Sequence, residues 1–141
     1  MILLGKDGYQ EIFEDLGEIM SGFLKNYDFK DYSFAFIPVT KRKLIDRGFN
    51  QSEVLAKKLA KKLNLKIFSD LIKIKETEDQ VKLDFEKRLN NLKDVFKIKS
   101  LPPKKIILVD DIKTTGSTLK ECAKVLKEAG AREIIALTIL R

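Results

Sequence analysis

The stretch Ile106-Ile107-Leu108-Val109-Asp110-Asp111-Ile112-Lys113-Thr114-Thr115-Gly116-Ser117-Thr118 decides how this chain folds. Its opening residues, Ile106–Val109, form an apolar run bounded by lysines and aspartates, the pattern of a strand buried on both faces of a sheet. Beyond Thr118 the period changes. Leu119, Cys122, Val125, Leu126 and Ala129 recur at helical spacing, so a helix is predicted over Thr118–Ala129. Gly130 stands where a left-handed C-terminal cap belongs. Ile134–Leu140 then reads as another apolar strand. Strand, short turn, helix and strand in that order make the repeating unit of a parallel sheet.

Working back toward the N-terminus, Ile12, Leu16, Ile19, Met20 and Phe23 predict a helix over Gly8–Leu24, with Asp7 and Gln10 spaced as a capping box. Tyr27–Ser33 is a connector, and Phe34-Ala35-Phe36-Ile37, stopped by Pro38, is a buried strand. Thr40–Arg47 reads as a basic loop. A second helix starts at Asn50 or Ser52 and runs to about Leu63, with Leu55, Leu59 and Leu63 on one face and Lys57, Lys58, Lys61 and Lys62 on the other. Ile67–Ile74 reads as a strand, and Lys75–Asn91 as a long charged loop with one short helix through Glu86–Leu89. Leu101-Pro102-Pro103 is a turn, because paired prolines block helix and interior strand alike. The fold class expected is α/β, a mostly parallel open sheet flanked by helices. One domain spans residues 1–141, with an N-terminal helix in 1–33 and the core in 34–141.

The chain has 141 residues, 44% hydrophobic and 35% charged, which is the composition of a soluble globular domain. No apolar run approaches the roughly 20 residues that span a bilayer, and Met1–Gly5 is cut short by Lys6-Asp7-Gly8. The cytoplasm is the default expectation. With one cysteine and no histidine, internal disulfides, common zinc sites and Ser-His or Cys-His nucleophile pairs are excluded. Direct zinc ligation is not expected. The net charge of +7 suits polyanionic partners, and it equally suits a lysine-rich surface that binds nothing.

In an open parallel sheet, ligands bind beyond the carboxyl ends of the strands. There Gly116 lets backbone amides approach an anion, and the helix start presents its positive dipole end. Thr114, Thr115, Ser117 and Thr118 offer hydroxyl donors. Asp110 and Asp111 repel a bare phosphate, but they accept hydrogen bonds from sugar hydroxyls or attract a divalent cation. The segment therefore reads as a sugar-phosphate site. The competing reading is a plain strand-to-helix turn with a good cap. Walker-type and dinucleotide motifs fit worse, because Ser117 rather than lysine follows Gly116 and no G-x-G-x-x-G occurs.

Ile106–Thr118 resembles the signature with which type I phosphoribosyltransferases bind 5-phosphoribosyl-1-pyrophosphate (PRPP): apolar residues, two acids, an apolar residue, then Thr-Thr-Gly-x-Thr. More specifically, the chain resembles the ComF family of competence-associated phosphoribosyltransferase-like proteins. That likeness is carried by Ile37-Pro38-Val39 before a basic loop and by Arg47-Gly48-Phe49-Asn50-Gln51. Thr77-x-x-Gln80-x-x-Leu83, Arg88-x-x-Asn91 and Phe96 extend it, so that it covers about Gly8 to Arg141. Two departures stand out. Family members commonly carry an N-terminal Cys-x-x-Cys zinc ribbon, whereas this chain begins at about the helix that follows it. Thr40 also stands where a proline is usual.

The resemblance implies a type I phosphoribosyltransferase-like fold, with a possible base-selecting hood reduced to residues 1–33. It assigns Asp110 and Asp111 to the ribose hydroxyls, with Mg²⁺ nearby, and Lys113–Thr118 to the 5-phosphate. Thr40, Lys41, Arg42 and Lys43 would meet pyrophosphate. Lys75 and Arg88 join the acid pair as catalytic candidates, in a segment that closes over substrate in relatives. Arg47, Asn50, Gln51, Thr77, Gln80 and Asn91 are motif residues without an assigned role. Read from the residues alone, the cations at 41–47 could equally be a solvated loop, and Arg88 could simply pair with Asp84 one helical turn earlier.

The function implied is a PRPP-binding protein of natural competence and DNA uptake, with Mg²⁺-dependent phosphoribosyl transfer to an unidentified acceptor. A non-catalytic PRPP-sensing or single-stranded-DNA-binding protein is the alternative, and a nucleobase-salvage phosphoribosyltransferase the second. Competence proteins are implied partners and a membrane is not. The oligomeric state is left open, a dimer being one option.

Overall fold

The computed structural model describes residues 6–77, 94–112 and 116–140. Its elements in chain order are α1 (Lys6–Leu24), β1 (Ser33–Phe36), α2 (Lys41–Arg47), α3 (Gln51–Leu63), β2 (Lys66–Ile67), β3 (Leu71–Lys73), β4 (Phe96–Ile98), β5 (Lys105–Ile112), α4 (Ser117–Glu128) and β6 (Glu133–Leu140). The main sheet is parallel, in the order β2-β1-β5-β6. It is open and flanked by helices, as the alternating pattern predicted.

Side-chain alternation along the central strands sorts the core onto the two faces of the sheet. Phe34, Phe36, Ile107 and Val109 face the layer of α1 and α3, meeting Leu55, Ala56, Leu59 and Ala60. Ala35, Ile37, Ile106 and Leu108 face α4, meeting Leu119, Cys122 and Leu126. Gly17 allows α1 to press close on α3, since a Cβ there would come within 2.7 Å of Lys58 Cγ. The lysine face of α3 reaches back to α1: Lys62 lies 2.9 Å and Lys58 3.6 Å from Glu18, while Lys57 pairs with Glu53 within its own helix at 2.8 Å. Among the described residues, no helix is long and apolar enough to cross a membrane.

Four expectations are corrected. Helix α1 already includes Lys6, so Asp7 is not its N-cap. Thr40–Arg47 is not a loop: Thr40 caps α2, its Oγ1 accepting from the Lys43 amide at 3.2 Å, and Gly48 closes the helix at φ 87°. Ile67–Ile74 is not one strand. Lys66–Ile67 pairs with β1, whereas Leu71–Lys73 leaves the main sheet to pair antiparallel with Phe96–Ile98, a strand that periodicity did not reveal. The departure buries Leu71 with Val95 and Phe96 on the α4 side of the sheet. Strand β5 continues past Val109, so Asp110 and Asp111 belong to the strand itself. At the far end of α4, Gly130 takes a positive φ of 125°, with its amide donating to Lys127 O (3.1 Å) and that of Ala131 to Leu126 O (3.0 Å). Those are the two bonds of a Schellman closure. The expected short helix at Glu86–Leu89 lies outside the described residues.

Candidate functional site

The chain steps from β1 outward to β2 in one direction and from β5 outward to β6 in the other, so the sheet reverses between β1 and β5. Crevices at such reversals, outside the carboxyl ends of the strands, are where open α/β sheets take ligands. Here the two strands end unequally. The last β1 partner is Phe36, opposite Val109, while β5 runs on beside β6 through Asp110 and Ile112. The acid pair is thus carried past the end of β1 on an extended backbone. Pro38 turns the chain away after Ile37, whose amide still donates to Val109 O at 2.9 Å.

Asp110 is half-buried, and its Oδ1 accepts from the Asp111 amide at 2.9 Å and from Ser52 Oγ at 3.4 Å. Burial pushes its pKa up to about 7, and the neighbouring Asp111 carboxyl adds to the rise, against the pull of the Asp111 amide and Ser52. A carboxyl in this state loses or keeps its proton according to what sits beside it. Gly116 stands at the N-cap of α4 with φ 77°, a conformation that favours glycine, and makes no side-chain cap bond. It leads into Ser117 and Thr118 at the helix start. Lys113, Thr114 and Thr115 lie outside the described residues.

Across the crevice, Thr40 donates to Glu76 Oε1 while it caps α2. A cavity of about 660 Å³ separates α2 from β3, and its lining includes Thr40, Lys41, Arg42, Ile72, Lys73 and Glu76. Lys73, half-buried, donates from Nζ to Thr77 Oγ1 at 2.8 Å. Desolvation lowers its pKa first, and the cations Lys43 and Arg47 lower it further, while Glu76 opposes them. The cavity is itself lined by four cations, Lys41, Arg42, Lys73 and Lys99, against Glu53 and Glu76, an arrangement that a multiply charged anion would relieve. The acid pair does not line this cavity. It is linked to it through Asn50, whose Oδ1 accepts from the Ser52 amide at 3.1 Å and whose Nδ2 donates to Ile37 O at 3.0 Å.

The structure thus brings Asp110, Asp111, Gly116, Ser117 and Thr118 to one end of the sheet and Thr40–Lys43 to the neighbouring strand end. Asn50 is a buried brace that caps α3. Arg47 donates to Gln51 Oε1 at 3.3 Å on the surface, and Lys75 is exposed. Gln80, Arg88 and Asn91 lie outside the described residues. Ser52, Lys73 and Glu76 were not singled out from sequence. The only available signal was that Ser52 directly follows the Asn50-Gln51 motif and that Lys73 precedes the polar segment. Cys122 is fully buried in the core, and burial pushes its thiol well above the usual range.

A family model described as the phosphoribosyl transferase domain matches residues 50–141. The competence protein ComFC of Streptococcus pneumoniae is 36% identical over 124 residues, covering 86% of this chain and 53% of that protein. Competence protein F of Haemophilus influenzae is 37% identical over 93 residues, covering 62% of this chain and 41% of that protein. The chain therefore spans about half the length of the curated relatives it matches. Among solved structures, purine phosphoribosyltransferase from Pyrococcus horikoshii Ot3 superposes with a TM-score of 0.57 at 18% identity, over 94% of this chain and 74% of that one. That likeness is one of fold.

Proposed function

The chain belongs to the phosphoribosyl transferase domain family, and from that premise we propose that it binds PRPP at the carboxyl ends of β1 and β5 in the service of DNA uptake. One observation carries the reading: β5 extends past β1 and sets two carboxylates beside a glycine-capped helix start. Asp110 and Asp111 accept from the ribose hydroxyls. Gly116, Ser117 and Thr118, with Lys113, Thr114 and Thr115, take the 5-phosphate. Lys41, Arg42 and Lys73 face the pyrophosphate from the adjoining cavity, with Thr40 and Lys43 on the same α2 turn. The similarity to two competence proteins supports the biological setting.

Mg²⁺ fits this donor set. Among the described residues no group of three or more acids or cysteines forms a metal cage, whereas Mg²⁺ needs only one or two carboxylates when substrate phosphates complete its shell. Bound with the pyrophosphate, it would offset negative charge as the bond to ribose C1 breaks. The chain's own part in that step is to hold the ribose, to neutralise the leaving group with the α2 and β3 cations, and to keep water from an oxocarbenium-like C1. The acceptor is unassigned. A second reading, binding without transfer, draws support from α1. The segment expected to supply a base-selecting hood lies along α3, held by Lys58 and Lys62 to Glu18.

Calorimetric titration with PRPP, with and without Mg²⁺, tests the proposal, and saturable binding strengthened by Mg²⁺ is expected. No heat at millimolar PRPP would overturn it. Pyrophosphate release measured against bases, amines and single-stranded DNA then separates the readings, since binding without release from any of them selects the non-catalytic one. The binding should also depend on pH in a specific direction. Sugar hydroxyls donate to the ionised form of Asp110, but the ligand-free carboxyl stays protonated until about pH 7. Affinity should therefore fall as pH drops below 7, by up to about tenfold per unit, and level off above it. Asp110→Asn should flatten that profile.

A further inference from the structure

We propose that Glu76 is a built-in competitor for the anion site between α2 and β3: its carboxylate takes the place of a pyrophosphate oxygen, and the arriving ligand must displace it. This role rests on the reading of that cavity as the pyrophosphate subsite. It adds that the chain sets its own hold on the anion through one carboxylate.

The cavity concentrates positive charge. Lys41 and Arg42 line it from α2, Lys73 from β3 and Lys99 from the segment after β4, while Glu53 and Glu76 are its acids. The two acids are used differently. Glu53 pairs with Lys57 along its own helix at 2.8 Å. Glu76 instead brings its Oε1 to the Thr40 hydroxyl, crossing from the chain beyond β3 to the residue that caps α2. Its charge also helps Lys73 keep its proton, opposing the desolvation and the neighbouring cations that work against it. Glu76 thus does for Thr40 and Lys73 what an anionic ligand would do.

The two occupants exclude one another. Thr40 is only 7% exposed, and its hydroxyl carries a single proton. That proton is committed to Glu76, while the oxygen accepts from the Lys43 amide at 3.2 Å. A phosphoryl oxygen can therefore claim the Thr40 proton only when the carboxylate withdraws. Lys73 is not limited in this way. Its ammonium has three donors, and the bond to Thr77 Oγ1 at 2.8 Å uses one of them. Withdrawal costs little, because Glu76 is an exposed residue whose carboxylate returns to water. Left in place, it would set like charge against a multiply charged anion.

Calorimetric titration with inorganic pyrophosphate, at fixed ionic strength and without Mg²⁺, tests this. Glu76→Gln, which keeps an acceptor for Thr40 and drops the charge, should bind pyrophosphate about tenfold more tightly than wild type. Glu76→Ala should gain at least as much. Ribose 5-phosphate, which has no pyrophosphate, should bind all three proteins alike. Glu128→Gln, an equal change in net charge at an exposed site on α4, should match wild type with both ligands. A carboxylate that only ties the end of β3 to α2 would give a different order, with Glu76→Gln like wild type and Glu76→Ala weaker. That order, an equal gain in Glu128→Gln, or an equal gain for ribose 5-phosphate would each overturn the proposal while leaving the PRPP titration of the wild-type chain intact. Pyrophosphate binding to neither wild type nor variants would overturn it together with the pyrophosphate subsite.

Discussion

Replacing Asp110 and Asp111 together by asparagine should weaken PRPP binding by at least about 100-fold, because each ionised acceptor lost from a sugar-hydroxyl contact is worth roughly 1.5–3 kcal/mol. Calorimetry at pH 8, above the value of about 7 to which Asp110 is pushed, is the measurement. Misfolding is not the expected cause of the loss. Folding pushes the Asp110 carboxyl up to about 7 from its ordinary value of 3.8, so folding favours its protonated form. Its contribution to stability is therefore unfavourable above pH 7, shrinks as pH falls toward 3.8, and vanishes below that. Asparagine removes the penalty, and the variant should be more stable than the parent at pH 8, by on the order of 1 kcal/mol after allowance for partial exposure, with little difference near pH 4. A double variant that is equally stable yet binds within a few-fold of the parent would show that the ribose is not held there.

The second large effect is expected at Asn50, a buried residue at the wall of the cavity beside α2. It caps α3 through the Ser52 amide and satisfies the carbonyl of Ile37, where β1 ends. Asn50→Ala removes the cap, at about 1 kcal/mol, and strands a buried carbonyl, at about 1–3 kcal/mol. Urea unfolding should register a loss of roughly 2–4 kcal/mol in all. Asn50→Asp keeps the acceptor for Ser52 but loses the donor to Ile37, so its loss should fall between wild type and alanine. A change below about 0.5 kcal/mol in Asn50→Ala would mean that solvent replaces both bonds, and the brace between β1 and α3 would then carry no energy.

The strand that carries the acid pair and the helix that follows Gly116 were the most legible part of this molecule. Ile106–Thr118 combines a fully apolar strand, paired acids and a glycine before hydroxyl residues, and each of those signals acts within a few positions of its own location. Helix α3 was legible for the same reason, from Asn50 at its start to the Leu55, Leu59 and Leu63 face. Helix α2 was missed because its seven residues are mostly charged and carry no apolar stripe, so its cap at Thr40 and closing Gly48 were the only local signs. The division of Ile67–Ile74 was hidden because β3 takes its partner, Phe96–Ile98, from far along the chain. Lys73 was passed over as one lysine among many. Its distinction is the company it keeps, and that company of Lys43, Arg47 and Glu76 assembles only when the fold sets α2 across a cavity from β3.

By itself, then, the sequence determined α1, β1, α3, β5, α4 and β6 and their order, because hydrophobic period, capping and glycine geometry are local properties. Tertiary structure alone decided that β5 outruns β1, that Asp110 is buried enough to hold a proton near neutrality, and that β6 is the last of the described strands on its side of the sheet. Those features depend on which strands lie side by side and how far each extends. Such pairings are settled by burial between segments distant in the chain, and no single stretch of residues encodes them.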